Sequence, residues 1–238
     1  MLLYIIRHGD PIYVTDTLTE RGREQAEAVG LRMAKSGIDR IFTSPMGRAR
    51  ETAAPACRLL GLTPTVEEWT HEIGDERLTP FPDGSRQSIT NLPSYAFRQN
   101  GAIDLPYDEA FSCPGVAESG MEKARDYIEE NGKIFLEKLG YREENGIYHI
   151  LRPNEEKVAL FCHTAFARTW LSVLLHIPLH IVWSGISITH TGVTLLEFRN
   201  YPSSFTSPRC LFLSDVSHLY AHGPDMKYDN RVQLADDR

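Results

Sequence analysis

The first nine residues of the chain constrain its fold most, because a short apolar run there ends in three residues of a different kind. Residues 2–6 are apolar or aromatic, and Arg7, His8 and Gly9 follow them. A run of this length before a glycine predicts a buried strand that delivers its last side chains into a loop. In an open parallel α/β sheet, ligands bind at the carboxyl ends of the strands. Taken alone, Arg7 and His8 are better interpreted as a surface ion-pairing residue and a capping histidine. The rest of the chain favours the alternative, in which both lie at the binding edge of an α/β sheet.

Two later segments have the same arrangement, a strand followed by a polar or cationic group. Residues 40–43 predict a second strand, and Arg48 lies at the start of the helix after it. Residues 158–162 predict the clearest internal strand, which leads directly into His163. The oxygens of a phosphate group need charge-assisted donors. Because parallel strands end at one sheet edge, these groups and Arg7 together predict a phosphate pocket there.

Length and composition favour a single domain over residues 1–238. The chain has 238 residues and 42% hydrophobic content, which is enough to bury one sizeable core. We expect an α/β fold with a mostly parallel central sheet flanked by helices. Regular periodicity fades among prolines between about residue 74 and residue 125, which predicts an insertion that caps the carboxyl-terminal edge of the sheet. Residues 215–238 are polar and predict a C-terminal tail on the surface.

Local patterns predict where several elements begin and end. Thr19 is a suitable N-cap for a helix that stops at Gly37. Asn145-Gly146 predicts the two-residue turn of a hairpin. Residues 64–69 predict a short and weak strand.

Charge and cysteine content limit the partners and the compartment. The formal charge of −7 and the pI near 5.7 argue against broad binding to nucleic acid or to an anionic membrane, so any anionic ligand must meet a local basic cluster. The four cysteines are widely spaced without a C-x-x-C pair, and no signal segment precedes the first strand. We therefore expect reduced thiols, a cytoplasmic location, and no nucleic-acid or membrane partner.

Four segments together resemble the histidine phosphatase superfamily, in its phosphoglycerate mutase-like branch. They are Arg7-His8-Gly9, Leu18-Thr19-Glu20-Arg21-Gly22, Thr43-Ser44-Pro45 with Arg48-Ala49 and Thr52-Ala53, and the late strand before His163. The matching segments lie between residues 1 and about 72 and between residues 156 and 213, in the order that the family has. Each segment alone is weak, but the set is specific.

The resemblance implies a metal-independent phosphatase that needs no cofactor and works in two steps. Neutral His8 would attack phosphorus, and water would then hydrolyse the phosphohistidine. Arg7, Arg48 and His163 would bind the phosphoryl oxygens. Gly9 and Thr164 complete the expected phosphate-binding set.

A carboxylic acid should protonate the leaving oxygen. Glu72 is our choice, because it follows the short strand after which the family has its acid. The family pattern is Leu-x-Glu, whereas the sequence here is Thr70-His71-Glu72. Glu68, Asp75 and Glu76 are the alternatives. Thr164 is a second departure, since the family has glycine after the second histidine. Its side chain either narrows the phosphate pocket or adds a hydroxyl donor.

Two other motifs compete with this interpretation. Cys162 and Arg168 have the C-x5-R spacing of cysteine-dependent phosphatases, but the loop lacks glycine and the segment after Thr164 predicts a regular helix. His218 and His222 have the i, i+4 spacing of metal ligands without a third ligand. We interpret Cys162 as a buried strand residue and the two histidines as packing or surface residues. We interpret the remaining histidines in the same way, namely His71, His149, His176, His180 and His190. Of these, only His71 is expected near the pocket, where it would lie beside Glu72.

The insertion should determine the substrate. Between residues 74 and 125 it has five basic and eight acidic residues, so it lacks a second cationic clamp of the kind that a mutase needs for a bisphosphate. We therefore favour hydrolysis of a small phosphorylated metabolite over mutase chemistry or a non-catalytic phosphate-binding module. The oligomeric state stays open, with a homodimer among the possibilities. The aromatic residues of the insertion either form a wall over the site or pin the insertion to the core, and they are Phe81, Tyr95, Phe97, Tyr107 and Phe111.

Overall fold

The computed structural model describes residues 1–73, 79–80, 86–113, 116–117 and 119–224. The strands are β1 (Leu2–Arg7), β2 (Pro11–Ile12), β3 (Thr17–Leu18), β4 (Arg40–Thr43), β5 (Thr65–Val66), β6 (Thr79–Pro80), β7 (Arg86–Gln87), β8 (Tyr141–Glu144), β9 (Ile147–Ile150), β10 (Lys157–Cys162), β11 (Val193–Glu197), β12 (Phe205–Thr206) and β13 (Arg209–Asp215). The α-helices are α1 (Glu20–Ser36), α2 (Gly47–Leu60), α3 (Met121–Lys138), α4 (Thr164–Leu175), α5 (Leu179–Gly185) and α6 (Ser217–His222). Short 3-10 helices cover Glu68–Thr70, Ile89–Asn91, Ser94–Arg98, Ala102–Asp104 and Tyr107–Ser112.

The central sheet has six strands in the order β13-β11-β1-β10-β4-β5. β1, β10, β4 and β5 are parallel, whereas β11 is antiparallel to both β1 and β13. The predicted α/β class with a mostly parallel sheet is therefore confirmed. In the register of β1 and β10, Arg7 lies opposite Cys162, so the residues that follow them, His8 and His163, leave the sheet side by side.

Two apolar layers cover the sheet, which is why its central strands are continuous apolar runs rather than alternating ones. Ile5 and Leu160 face the layer of α3, α4 and α5, and Ile6 and Phe161 face the layer of α1 and α2. All four side chains are buried. The core therefore holds the ends of β1 and β10 rigidly at the site.

The first helix beside the site, α1, has the boundaries that its residues predict. The Thr19 hydroxyl accepts a hydrogen bond from the Gly22 amide at 2.9 Å, and Gly37 ends α1 in the left-handed conformation at φ 66°. α1 and α2 approach closely, because a Cβ on Gly30 would lie 2.7 Å from the Pro55 Cβ. The predicted N-cap at Thr19 and the predicted end of α1 at Gly37 are both confirmed.

The hairpin and the weak strand have different outcomes. β8 and β9 are antiparallel, and Asn145 and Gly146 between them have positive φ angles of 55° and 83°, as a tight turn of this type requires. The strand predicted over residues 64–69 is only β5, and a 3-10 helix over Glu68–Thr70 follows it. The hairpin is confirmed, whereas the strand is shorter than predicted.

The described part of the insertion packs against α5. The Phe97 ring lies 6.3 Å from the ring of Trp183, and Tyr107 stacks on His176 at 4.0 Å. The Phe111 ring lies under the Arg125 guanidinium, and Tyr95 is exposed. These contacts favour the pinning role for Phe97, Tyr107 and Phe111, and Phe81 lies outside the described residues.

The predicted C-terminal tail needs correction. Asp215 is the last residue of β13, and the residues after it form α6, which packs against α1. Arg32 donates to the Asp215 carboxylate at 2.5 Å, and His218 and Leu219 are buried. These contacts hold the segment to the core up to His222, and residues 225–238 lie outside the described residues. The division of the chain into one domain, an insertion and a tail otherwise stays a prediction.

Candidate active site

His8 leaves the end of β1 with its ring orientation fixed by the next residue. Its Nδ1 lies 2.7 Å from the Gly9 carbonyl oxygen. A carbonyl oxygen can only accept, so Nδ1 carries the proton and Nε2 has a free lone pair. The Gly9 amide donates to the Thr52 hydroxyl at 3.0 Å, and a Cβ on Gly9 would lie 2.7 Å from the Gly22 carbonyl oxygen. Gly9 therefore orients His8, and its amide is bound to Thr52 rather than directed at a ligand.

The surroundings of His8 keep its ring neutral. Burial is the main cause that lowers its pKa well below the usual value of 6.5, and the positive charge of Arg7 adds to this effect. A neutral imidazole with a free Nε2 is a competent nucleophile.

Arg7 is buried beside His8 at the end of β1. Its Nη1 donates to the Ile188 carbonyl oxygen at 2.6 Å, in the loop that leads to β11. It interacts electrostatically with Glu72 and with Arg48. Two guanidinium groups therefore share one buried region, which is a suitable environment for an anion.

Arg48 lies in the first turn of α2 and is also buried. Its Nη1 donates to the Asp16 carboxylate, and the Gly47 amide donates to the same carboxylate at 2.5 Å. Asp16 is a functional candidate that the sequence alone does not reveal, because it lies in a polar stretch between the Arg7-His8-Gly9 segment and the Leu18–Gly22 segment and belongs to neither motif.

His163 follows β10 and faces His8, with 5.2 Å between the ring centroids. Its Nε2 lies 2.7 Å from the Ser44 hydroxyl, which follows β4. Burial first, and then Arg48 and Arg7, lower its pKa well below 6.5. The structure therefore brings together Arg7, His8, Arg48 and His163, the four residues that the strand-end pattern predicts at one edge. Thr164 is the first residue of α4, directly after this histidine.

Glu72 lies against the N-terminus of α4. Its carboxylate accepts hydrogen bonds from the amides of Phe166 at 3.0 Å and Ala165 at 3.4 Å. Burial nevertheless raises its pKa, against the opposing effects of these amides and of Arg7. Of the alternatives, Glu68 is exposed, and Asp75 and Glu76 lie outside the described residues. Glu72 is thus the described candidate that both interacts with Arg7 and has a raised pKa.

His190 is a second residue that the sequence alone does not reveal, because it belongs to no motif and the sequence predicts only a packing or surface histidine there. Its ring lies 5.6 Å from that of His8, and the Asp10 carboxylate is 3.7 Å from its Nδ1. Burial, followed by Arg7 and Arg21, lowers its pKa to about 2. The next residue, Thr191, donates its amide to the His8 carbonyl oxygen at 3.2 Å. A strand-end pattern could not have found His190, because it precedes β11 rather than following a strand.

The structure does not support a cysteine nucleophile. Cys162 is fully buried in β10, and burial raises the pKa of its thiol, whereas a nucleophilic cysteine needs a lowered one. The residues after His163 form α4, and Arg168 donates to the Trp183 carbonyl oxygen at 2.6 Å.

The other histidines have structural partners in most cases. The His218 Nε2 lies 3.0 Å from the Thr191 hydroxyl, and His222 is exposed beside Lys35. His71 interacts electrostatically with His163, as its predicted place near the pocket requires. Among the described residues, no cluster of three or more metal-ligating side chains occurs. Within the same residues, no helix combines the length and apolar character needed to cross a membrane.

Comparison with known proteins identifies relatives of this chain. Residues 3–78 match the model of the "Histidine phosphatase superfamily (branch 1)". The "Serine/threonine-protein phosphatase Pgam5, mitochondrial" of Drosophila melanogaster is 43% identical over 204 residues, which cover 82% of this chain. This chain spans only 57% of the length of that relative. The protein of the same name from Drosophila persimilis is 48% identical over 58 residues, which cover 21% of this chain and 20% of the relative.

Solved structures share the fold. Phosphoserine phosphatase from Entamoeba histolytica, in complex with 3-phosphoglyceric acid, has a TM-score of 0.59 at 22% identity, and the match covers 92% of this chain and 98% of that one. A mycobacterial glucosyl-3-phosphoglycerate phosphatase has a TM-score of 0.60 at 18% identity, with 90% and 99% coverage.

Proposed function

Because the chain belongs to the histidine phosphatase superfamily, we propose that it hydrolyses a phosphate monoester through a phosphohistidine on His8. The observation that carries this proposal is a neutral His8 with a free Nε2 among buried cationic and polar donors. In the described part of the chain, the Arg7 Nε, the Arg48 Nε and the His163 Nδ1 are buried without a hydrogen-bond partner. Buried polar atoms are normally paired, so several unpaired ones around one nucleophile favour a ligand with several acceptor oxygens.

The first step transfers the phosphoryl group to His8. The Nε2 lone pair forms the bond to phosphorus as the bond from phosphorus to the ester oxygen breaks. Arg7, Arg48 and His163 hold the equatorial oxygens, where fixed donors stabilise the charge of the transition state. Glu72 gives its proton to the leaving oxygen, a task that suits a carboxyl group with a raised pKa.

The second step returns the enzyme to its starting state. Water attacks the phosphorus of the phosphohistidine and gives a proton to Glu72, and the bond between phosphorus and Nε2 breaks to release inorganic phosphate. These residues supply the nucleophile, the acid and the charge stabilisation from the chain itself.

The substrate that we propose is a small phosphorylated metabolite. Hydrolysis is preferred to mutase chemistry, because the insertion as a whole carries more acidic than basic residues. The protein phosphatase name of the 43% identical relative favours a second candidate, a phosphoserine or phosphothreonine side chain of a protein. The exposed Tyr13 and Val14, on the loop that contacts Arg48, give such a substrate an apolar surface to contact. A cytoplasmic location and a homodimer remain predictions.

The test compares the purified chain with its His8→Ala variant in excess chelator, on a panel of phosphorylated metabolites and phosphoserine peptides. We expect phosphate release by the parent alone and an acid-labile, alkali-stable phosphoenzyme after rapid quenching. Equal activity in both proteins would remove His8 as the nucleophile. Turnover that requires a bisphosphate primer would favour the mutase, and phosphate binding without any phosphoenzyme would favour a binding module.

A further inference from the structure

A small hairpin follows β1, and its tip lies against the arginines of the site. β2 and β3 are its arms, and residues 13–16 are its tip. The Asp16 amide donates to the Tyr13 carbonyl oxygen at 3.2 Å, and Asp16 has a left-handed φ of 52°. The base is fixed, because the Leu18 amide donates to the Glu51 carboxylate at 2.9 Å. The tip, by contrast, is exposed at Tyr13 and Val14.

Both arginines of the site contact this tip. One Asp16 carboxylate oxygen accepts from Arg48, and the other accepts from the Gly47 amide at 2.5 Å. The Arg48 guanidinium lies over the Tyr13 ring, 5.4 Å from its centroid, and Tyr13 also interacts electrostatically with Arg7. The chain's own carboxylate therefore binds a guanidinium and a backbone amide at the N-terminus of α2, two kinds of donor that also bind phosphate oxygens.

The close approach of the tip depends on the absence of a side chain at position 47. A Cβ on Gly47 would clash with the Asp16 carbonyl oxygen. Because the first position of a helix accepts alanine, a substitution there can displace the tip without changing any charge. Position 47 thus provides a test that is independent of the carboxylate.

We propose that Asp16 is a competing anion at the phosphoryl-binding group of Arg48, so that the substrate must displace the hairpin tip and Asp16 sets the affinity for the phosphoryl group. This inference rests on the proposed function only in naming the displacing ligand. Asp16 then raises KM and the dissociation constant of phosphate, and its return to Arg48 helps inorganic phosphate to leave. The opposite role, in which Asp16 only holds Arg48 in place, predicts weaker phosphate binding when Asp16 is changed.

The experiment measures binding of inorganic phosphate by isothermal titration calorimetry, in the parent and in Asp16→Asn and Gly47→Ala variants. We expect both variants to bind phosphate about 10-fold more tightly. Glu20→Gln is the control, because it removes an exposed negative charge from the first turn of α1 and should leave the affinity within about 2-fold. Thermal unfolding of each variant confirms that it is folded.

The inference is overturned if Asp16→Asn binds phosphate equally or more weakly, if the control shows the same gain, or if no variant binds phosphate. If Asp16→Asn does not fold, phosphate binding by Gly47→Ala still tests the inference. Titration needs no turnover, so tighter binding with no hydrolysis by any variant would reject the proposed function and leave this inference standing. A lower KM in the variants would support both.

Discussion

The sheet side and the loop side of the pocket are built differently. Arg7, His8 and His163 project from adjacent parallel strands whose central residues are buried on both faces. Glu72 and Asp16, by contrast, lie on irregular or very short segments that are held by a few hydrogen bonds. Positions on the sheet side follow from strand register, whereas positions on the loop side follow from individual contacts. The difference indicates that the proposed nucleophile and the cationic groups beside it are fixed in place, whereas the positions of the proposed acid and of the hairpin tip are adjustable.

The largest expected effect on the loop side comes from Glu72→Gln. Burial raises the pKa of Glu72, so its carboxyl group keeps its proton to a higher pH than an exposed glutamate, and the first step slows as pH rises through that pKa. The variant should lose about 10²–10⁴-fold in kcat on an alkyl phosphate. The loss should be small on p-nitrophenyl phosphate, whose leaving group needs no proton. Rates on both substrates across pH measure this difference.

Glu68→Gln is the matched control, since Glu68 is exposed and only four positions away. It should retain the activity of the parent on both substrates. If Glu72→Gln lost the same factor in kcat on the alkyl and the aryl phosphate, the role of Glu72 would be structural. The loop side would then be as rigid as the sheet side.

A smaller effect concerns His190 and the stability of the fold in acid. The pKa of His190 is about 2 in the folded chain, below the ordinary value of 6.5, so the unfolded chain binds the proton first. Its contribution to the free energy of unfolding is therefore complete above pH 6.5 and is lost as pH falls. Between pH 7 and pH 5 the loss should be about 2 kcal/mol from this residue. Urea unfolding at the two pH values measures it.

His190→Gln should lessen the loss by that amount, and His222→Gln, at an exposed position, should not. His8 and His163 act with the same sign, because burial lowers both pKa values, so part of the acid sensitivity persists in His190→Gln. An unchanged difference between pH 7 and pH 5 in that variant would mean that His190 does not titrate as a buried group.

The smallest effect is expected at Thr19, where the loop that carries Asp16 leads into α1, and it concerns the free energy of unfolding. Thr19→Ala removes the N-cap of α1 and the hydrogen bond from Thr19 to Asp10 at 2.7 Å. The free energy of unfolding should fall by about 1 kcal/mol, and Thr19→Ser should retain most of it. Chemical unfolding of the three proteins is the measurement. A loss of several kcal/mol would show that the hairpin and the sheet side unfold together.

The sequence predicts the sheet side well and the loop side poorly, for physical reasons. Apolar runs that end in Arg7-His8 and His163 identify buried strands, and parallel strands must end at a common edge. Glu72 could be chosen only from its order relative to the family motifs. Asp16 and His190 depend on the path of short connections, which is decided by contacts such as Asp16 with Gly47 that leave no periodic pattern.

The pairing of β1 with β10 also determines when the pocket can form. Arg7 lies opposite Cys162, so this pairing joins segments that are 155 positions apart (162 minus 7). Contacts of such long sequence separation form slowly, because closing the intervening chain costs entropy before any contact compensates for it. Helices such as α1 and α3 contain only local hydrogen bonds and can form earlier. During refolding, phosphate binding should therefore return after most of the helical signal, which makes the ligand a reporter of the last long-range step.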